Sequence, residues 1–216
     1  MKARKGRAER SLTRVKQAIA DSARTIESLA EQANGISAVC EAIIETLRAG
    51  GKVLTAGNGG SAAEALHMAE EFVGRFRTDR VSLPAVALVA DSTALTCIGN
   101  DFGFDCIFSR QVEGLGKAGD ILVLISTSGN ALNLKKALDA ARHKRMKVVC
   151  LLGKSGGSIA GLGDYEIIVK GKATERIQEA HQVLIHLILD AAQFEGGEAP
   201  LRRIPDDRVP VPFGTA

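Results

Sequence analysis

His67 and Glu71 lie four residues apart in GNGGSAAEALHMAEE (57–71), directly behind a glycine-rich turn. On a helix that spacing puts both side chains on one face. A histidine and a carboxylate so placed can bind one divalent metal, or combine as acid and base. An isolated pair of this kind is ordinarily a solvated surface pair, so what joins it matters. The segment RIQEAHQVLIHLILDAA supplies Gln178 and His186, within about 80° of one another around a helix axis. Apolar Ile177, Leu184, Ile185, Ile188 and Leu189 make this helix mostly buried, where a lone histidine is ordinarily a satisfied core residue. Gln178 and His186 are also about 12 Å apart along the axis. One metal could take both only with their side chains nearly fully stretched, or the complete site draws on more than one subunit. His181 points to another side of the helix and His143 lies in a charged helix end, ARHKR; neither has an assigned role.

Two strand-to-helix turns must position these groups. GNGGS (57–61) follows a strand ending near Ala56, and STSGN (126–130) follows the apolar run 121–125. In an open parallel sheet, ligands bind beyond the carboxyl ends of the strands. Helix starts there offer unpaired N–H groups and a positive dipole end to a phosphate. Gly59 and Gly60 permit φ > 0 and close backbone approach, while Ser126, Thr127 and Ser128 add hydroxyl donors. Either turn alone is as readily a plain turn or an N-cap. The first lacks the Lys-Ser/Thr of a Walker A loop, and Asp91 stands too far along to hold a ribose. A sugar phosphate fits better than a nucleotide.

The supporting elements read as α/β. KVLTAG, LPAVALVA, DILVLIST, KVVCLLG and YEIIVK are short apolar runs, with helical segments between most of them. They predict a three-layer sandwich around a five-stranded, mainly parallel sheet. Leu12, Val15, Ile19, Ser22, Ile26, Leu29 and Ala33 make a narrow helical stripe suited to packing on another helix, possible from a second subunit. A second amphipathic helix through Ile43 and Ile44 ends at Gly50 and Gly51, completing an N-terminal helical hairpin. The last strong helix spans roughly 174–194. The chain therefore divides into N-terminal helices (1–50), a sugar-phosphate domain (51–195) and an extended or disordered tail (196–216).

Composition narrows the function classes. Of 28 Lys and Arg, seven fall in residues 1–16 beside one acid, leaving 21 basic and 24 acidic side chains in the rest. The body is thus not a nucleic-acid-binding surface by charge. No apolar run approaches bilayer length, and the basic start has no apolar stretch of a secretory signal behind it. Cys40, Cys97, Cys106 and Cys150 are scattered without CxxC pairs, which predicts reduced, packed thiols and a cytoplasmic setting.

Together the two turns resemble those of the sugar isomerase (SIS) domain, whose Ser/Thr-rich turns hold the phosphate of a phosphosugar. The wider sequence is similar to the phosphoheptose isomerase branch through GNGGS, HMAEEFVGRFRTDR, LTCIGNDFGFDCIFSRQVE, GDILVLISTSGN and ERIQEAHQVLIH. The resemblance runs from the N-terminal helices to about residue 195. It implies conversion of sedoheptulose 7-phosphate to D-glycero-D-manno-heptose 7-phosphate through an enediol, for heptose and lipopolysaccharide-type glycan biosynthesis. It implies Glu71 and His186 as acid–base residues, and one zinc ion on His67, Glu71, Gln178 and His186. It also implies that Asn58, Gly59, Gly60, Ser61, Glu71, Asn100, Asp101 and Gln178 hold the sugar or shape its pocket. Ser126, Thr127 and Ser128 would hold the phosphate, in a homotetramer with sites at subunit interfaces. Arg75 would neighbour that charge, or be a solvated helix-end arginine. Two departures stand out: Ala131 replaces the last serine of a common STSGNS, and Glu175 stands where aspartate is frequent. The alternatives are a non-catalytic relative that binds the replication initiator DnaA, and a module that senses a phosphosugar. In the DnaA-binding branch the residues matching Glu71 and His186 are replaced; this sequence keeps both.

Overall fold

The continuous apolar runs become strands buried on both faces. In a computed structural model, which describes residues 2–194 and the side chains of residues 9–193, they form one sheet. Its strands are β1 (Val53–Gly57), β2 (Ala85–Ala87), β3 (Ile121–Ser126), β4 (Lys147–Gly153) and β5 (Tyr165–Val169). The order is β2-β1-β3-β4-β5, and every pairing is parallel. Alternate residues feed two cores, as a pleated strand requires. Val53, Val123, Ile125 and Leu151 pack under α2 (Ala33–Arg48), α3 (Gly60–Val73) and α7 (Thr174–Phe194). Leu54, Leu122, Leu124 and Leu152 pack under α5 (Ser109–Leu115) and α6 (Leu132–His143). This is the expected three-layer sandwich.

The run LPAVALVA gives only a three-residue strand. Pro84 has no N–H to enter a ladder, and the Ala90 N–H turns back onto the Ala87 carbonyl at 3.0 Å. Asp91 then caps α4 (Ser92–Phe102) by accepting from the Ala94 N–H at 2.9 Å. At the N-terminus, α1 (Lys2–Glu27) joins α2 through a 3-10 turn, Ser28–Gln32, and both helices lie against α7. The expected stripe on α1 is only partly covered: Leu29 beyond it is buried, while Leu12, Val15 and Ile19 are 55%, 53% and 64% exposed.

Helix α7 occupies the span expected from the sequence, whereas the tail, 196–216, lies outside the described residues. All four cysteines are free; Cys40 and Cys150 are buried as expected, but Cys97 is exposed on α4. That helix buries no residue, so its thiol is not a packed one. Among the described residues, no helix is long and apolar enough to cross a membrane.

Candidate active site

The chain enters the sheet at β1, steps outward to β2, then returns to the other side of β1 as β3. Connections therefore diverge at the carboxyl ends of β1 and β3, where a crevice opens. Both predicted turns sit there. They bound a pocket of about 190 Å³ lined by Asn58, Gly60, Ser61, Ile125, Ser126, Thr127, Ser128, Ala131, Thr174 and Gln178. The helices that start at this pocket lack side-chain caps. Gly59, with φ +57°, is the N-cap of α3, and Ala131 is the N-cap of α6; neither supplies a capping bond. Helix α4, which starts elsewhere, is capped by Asp91. An uncapped start leaves N–H donors for a ligand. Among the described residues that line the pocket, none is charged, so neutral donors and helix ends would have to hold an anion there.

A reciprocal amide pair fixes one turn to the other. Asn58 and Asn133 each donate Nδ2–H to the other's Oδ1 at 2.9 Å. Asn133 is buried at the start of α6. The second turn is also braced from behind by residues 156–158. Ser158 donates its N–H to Asn130 Oδ1 at 2.9 Å, and the Ile159 N–H reaches the Gly129 carbonyl at 3.0 Å.

From this pocket α3 and α7 run side by side in the same direction. A Cβ on Gly60 would run into the Gln178 amide, so these two residues meet at the pocket end. Farther along, His67 Nε2 and His186 Nε2 are 3.3 Å apart. His67 Nε2 is also 3.9 Å from Glu71 Oε1. Glu71 and His186 thus flank the same imidazole within a single protomer. Gln182 Nε2 lies 3.0 Å from His186 Nε2. An amide nitrogen donates, so His186 Nε2 accepts from Gln182 in this arrangement. Phe76 stacks on the His186 ring, with centroids 6.0 Å apart. Arg80 closes the end of α3, donating to the Glu71 carbonyl at 2.6 Å and the Phe72 carbonyl at 2.8 Å. Burial pushes the Arg80 guanidinium below its ordinary value, and the Glu71 carboxylate opposes that shift.

The donor set at His67 suits a divalent metal. Zinc–nitrogen distances of about 2.0–2.1 Å place two ligands of a tetrahedral ion about 3.3–3.4 Å apart, the spacing of the two imidazoles. Glu70, Glu71 and His67 also bring ligand atoms within 4.8 Å of one another. Gln178 does not share this position: its amide abuts Gly60 at the other end of the two helices.

Other expected residues fall as follows. Asn58, Gly60, Ser61, Ser126, Thr127 and Ser128 line the pocket, and Gly59 forms its turn. Asn100 and Asp101 stand on exposed α4, where Asn100 Nδ2–H donates to Asp101 at 2.7 Å, and they do not line the protomer's pocket. Arg75 pairs with Asp79 at 2.7 Å in solvent, the helix-end alternative. His181 is fully buried, with Nε2 3.0 Å from the Leu152 carbonyl and Nδ1 3.9 Å from Glu64. Asn133, Thr174, Gln182, Phe76 and Arg80 were not anticipated. The helical spacing of Gln182 before His186 could have flagged it; Arg80 folds back on the end of α3 within nine residues, and Asn133, Thr174 and Phe76 depend on contacts distant in sequence.

A parallel sheet with this crevice, two Ser/Gly turns and no nucleotide signature defines a class. Residues 18–153 match the SIS domain family, so this is a SIS-domain protein. The chain is 50% identical over 165 residues to phosphoheptose isomerase of Geobacter sp. (strain M21), covering 76% of this chain and 86% of that one. With the enzyme of Enterobacter sp. (strain 638) it shares 44% identity over 186 residues, 84% of this chain and 96% of the relative. The chain belongs to the phosphoheptose isomerase family. Solved structures agree. Phosphoheptose isomerase from Neisseria gonorrhoeae superposes with a TM-score of 0.79 at 43% identity, covering 83% of this chain and 96% of that one. The Francisella tularensis enzyme gives 0.81 at 34% identity, with 84% and 97% covered.

Proposed function

We propose that this protein is an aldose–ketose isomerase converting sedoheptulose 7-phosphate to D-glycero-D-manno-heptose 7-phosphate through an enediol. The observation that carries the reading is the shared direction of α3 and α7, which ties an uncapped anion pocket to a His/Glu cluster. Seven to eight residues of helix separate the two, about 10–12 Å. An extended seven-carbon chain with its phosphoester spans about 10 Å at ordinary bond lengths. A phosphate between the two turns thus leaves carbons 1 and 2 at the cluster.

Glu71 removes the proton from C1 of the ketose and returns it to C2. His186, whose Nε2 already accepts hydrogen bonds, takes the proton from O1 and delivers one to O2. Carbon and oxygen protons balance, and both groups end as they began. Gln182, hydrogen-bonded to His186, orients that ring, while Arg80 holds the backbone of Glu71. Gln178 does not titrate and positions the substrate between the phosphate and the reactive end. His67 and Glu71 would hold a zinc ion, which when bound would polarise the substrate's oxygens as a Lewis acid, His186 Nε2 being kept for proton transfer.

Assembly belongs to the same reading. Leu66, Val73 and Leu187, neighbours of the cluster residues, are 47%, 48% and 42% exposed. Together with the bare stripe of α1, they give a second copy apolar surface to cover, excluding water from the reacting atoms. Asn100 and Asp101 would reach a neighbouring subunit's site from α4. A homotetramer in the cytoplasm, supplying heptose to a lipopolysaccharide-type glycan, completes the proposal. The test is turnover of sedoheptulose 7-phosphate by purified protein with and without chelator, beside Glu71→Gln and His186→Ala. Each variant should lose about 10²-fold or more in kcat. Unchanged turnover in both would remove the acid–base assignment.

A further inference from the structure

The pocket contains a hydroxyl that the two glycine/serine turns do not explain. Thr174 is the first residue of α7: the Ile177 N–H bonds to the Ala173 carbonyl at 3.2 Å, which starts the helix immediately before it. Thr174 lines the pocket with Ser126, Thr127 and Ser128. Among the described residues, the Thr174 hydroxyl has no hydrogen-bond partner. In the lining of the same pocket, Ala131 offers only a methyl group at the N-cap of α6, a position where a side-chain oxygen is strongly favoured.

We propose that Thr174 donates a hydrogen bond to the substrate's phosphate, supplying from the start of α7 the hydroxyl that Ala131 withholds at the start of α6. The claim rests on the phosphosugar reading of this pocket and adds a binding residue to it. Pocket dimensions permit the exchange. The pocket volume of about 190 Å³ leaves room for a phosphate. A phosphate presents terminal oxygens in several directions at once. A donor moved from one wall to another still meets an oxygen. Chemistry makes the hydroxyl count, because no described lysine or arginine lines the pocket. The anion's charge must be met by neutral donors and helix ends, each bond being of the stronger, charge-assisted kind. Thr174 also brings the amino end of a 21-residue helix to the ligand, adding its dipole to those of α3 and α6.

The test is calorimetric binding of inorganic phosphate to full-length wild type, Thr174→Val, Thr174→Ser, Ala131→Ser and the double variant Ala131→Ser/Thr174→Val. It is accompanied by KM for sedoheptulose 7-phosphate and by thermal unfolding of each protein. Thr174→Val keeps the shape and deletes the donor, so phosphate affinity should fall about 10-fold or more, with KM rising in parallel. Thr174→Ser should stay within about 3-fold of wild type, and the double variant should recover most of the loss. A merely structural role for Thr174 would lower the unfolding temperature without this pattern of rescue. Unaltered phosphate affinity in Thr174→Val, or no recovery in the double variant while it remains folded, overturns the proposal and leaves the phosphosugar reading standing. A wild-type protein that neither binds phosphate nor turns over the sugar overturns both.

Discussion

Gly157 lies outside the pocket, yet its replacement by alanine should damage phosphate binding. Its φ is +59°, where an L-residue costs about 1–2 kcal/mol. A Cβ there would strike the Ser128 carbonyl and come within 2.7 Å of both Asn130 Oδ1 and the Gly129 carbonyl carbon. All three belong to the second turn. Relief requires the turn to shift toward the ligand or residues 156–158 to withdraw. Withdrawal breaks the Ser158 N–H bond to Asn130, at a further cost of about 1 kcal/mol. The expected total is about 2–3 kcal/mol, or ~4–12 °C in Tm for a chain of this size. Gly161 is the control. Its φ is +74°, but a Cβ would meet nothing within 4 Å, so alanine there should cost only the backbone term of about 1–2 kcal/mol. Urea denaturation and KM for sedoheptulose 7-phosphate should be measured on both variants. Gly157→Ala should raise KM about 10-fold, the effect of losing one charge-assisted hydrogen bond, and Gly161→Ala should leave KM alone. If the two variants behave alike in both assays, the buttress argument is wrong.

Two other perturbations probe the scaffold. Asn133→Ala removes the partner of the half-buried Asn58 amide and should cost about 1–2 kcal/mol in urea denaturation for the two hydrogen bonds, with KM rising as the first turn loosens; a loss below about 0.5 kcal/mol would show that the amide pair does not hold the turns together. Burial, then the charges of Glu166 and Asp164, push the Cys150 thiol up from near 9 to about 12. The unfolded chain therefore releases this proton near pH 9 while the folded chain keeps it. Stability from this group is complete below pH 9 and falls by about 1.4 kcal/mol per unit as pH rises toward 12. Cys150→Ala should show a shallower decline over that range, and an identical slope would contradict the burial argument.

Strands β1, β3 and β4 were legible as continuous apolar runs and helix α7 by its helical period, signals that each segment carries by itself. β2 was misjudged in length because apolar residues flank it, although Pro84 and the cap at Asp91 confine pairing to three residues. Both pocket turns could be read from Gly and Ser/Thr at strand ends. Glu71 and His186 could be read as partners only through family resemblance, since nothing local brings residue 186 to residue 71; the parallel packing of α3 on α7 does so. That same packing separates Gln178 from His186, which the helical rise had already made difficult to join. Asn133 and Thr174 escaped notice because a single polar residue at a helix start reads as ordinary capping. The partner of Asn133 is Asn58, from another part of the fold, and Thr174 meets the pocket only through the packing of α7. Cys97 was expected inside because α4 has apolar residues, but that helix meets the core only through the partly buried Leu95 and Ile98 and leaves Cys97 exposed.

The central claim is that one sugar phosphate lies along α3 and α7, anchored at the turns and reacting at the His/Glu cluster. A crystal structure of the assembled Glu71→Gln variant with sedoheptulose 7-phosphate tests it most directly. The account predicts phosphorus between Gly60 and Ser126–Ser128, with carbons 1 and 2 within hydrogen-bonding reach of residue 71 and His186. A phosphate bound at the His67 end, or a sugar chain directed away from α7, would contradict it.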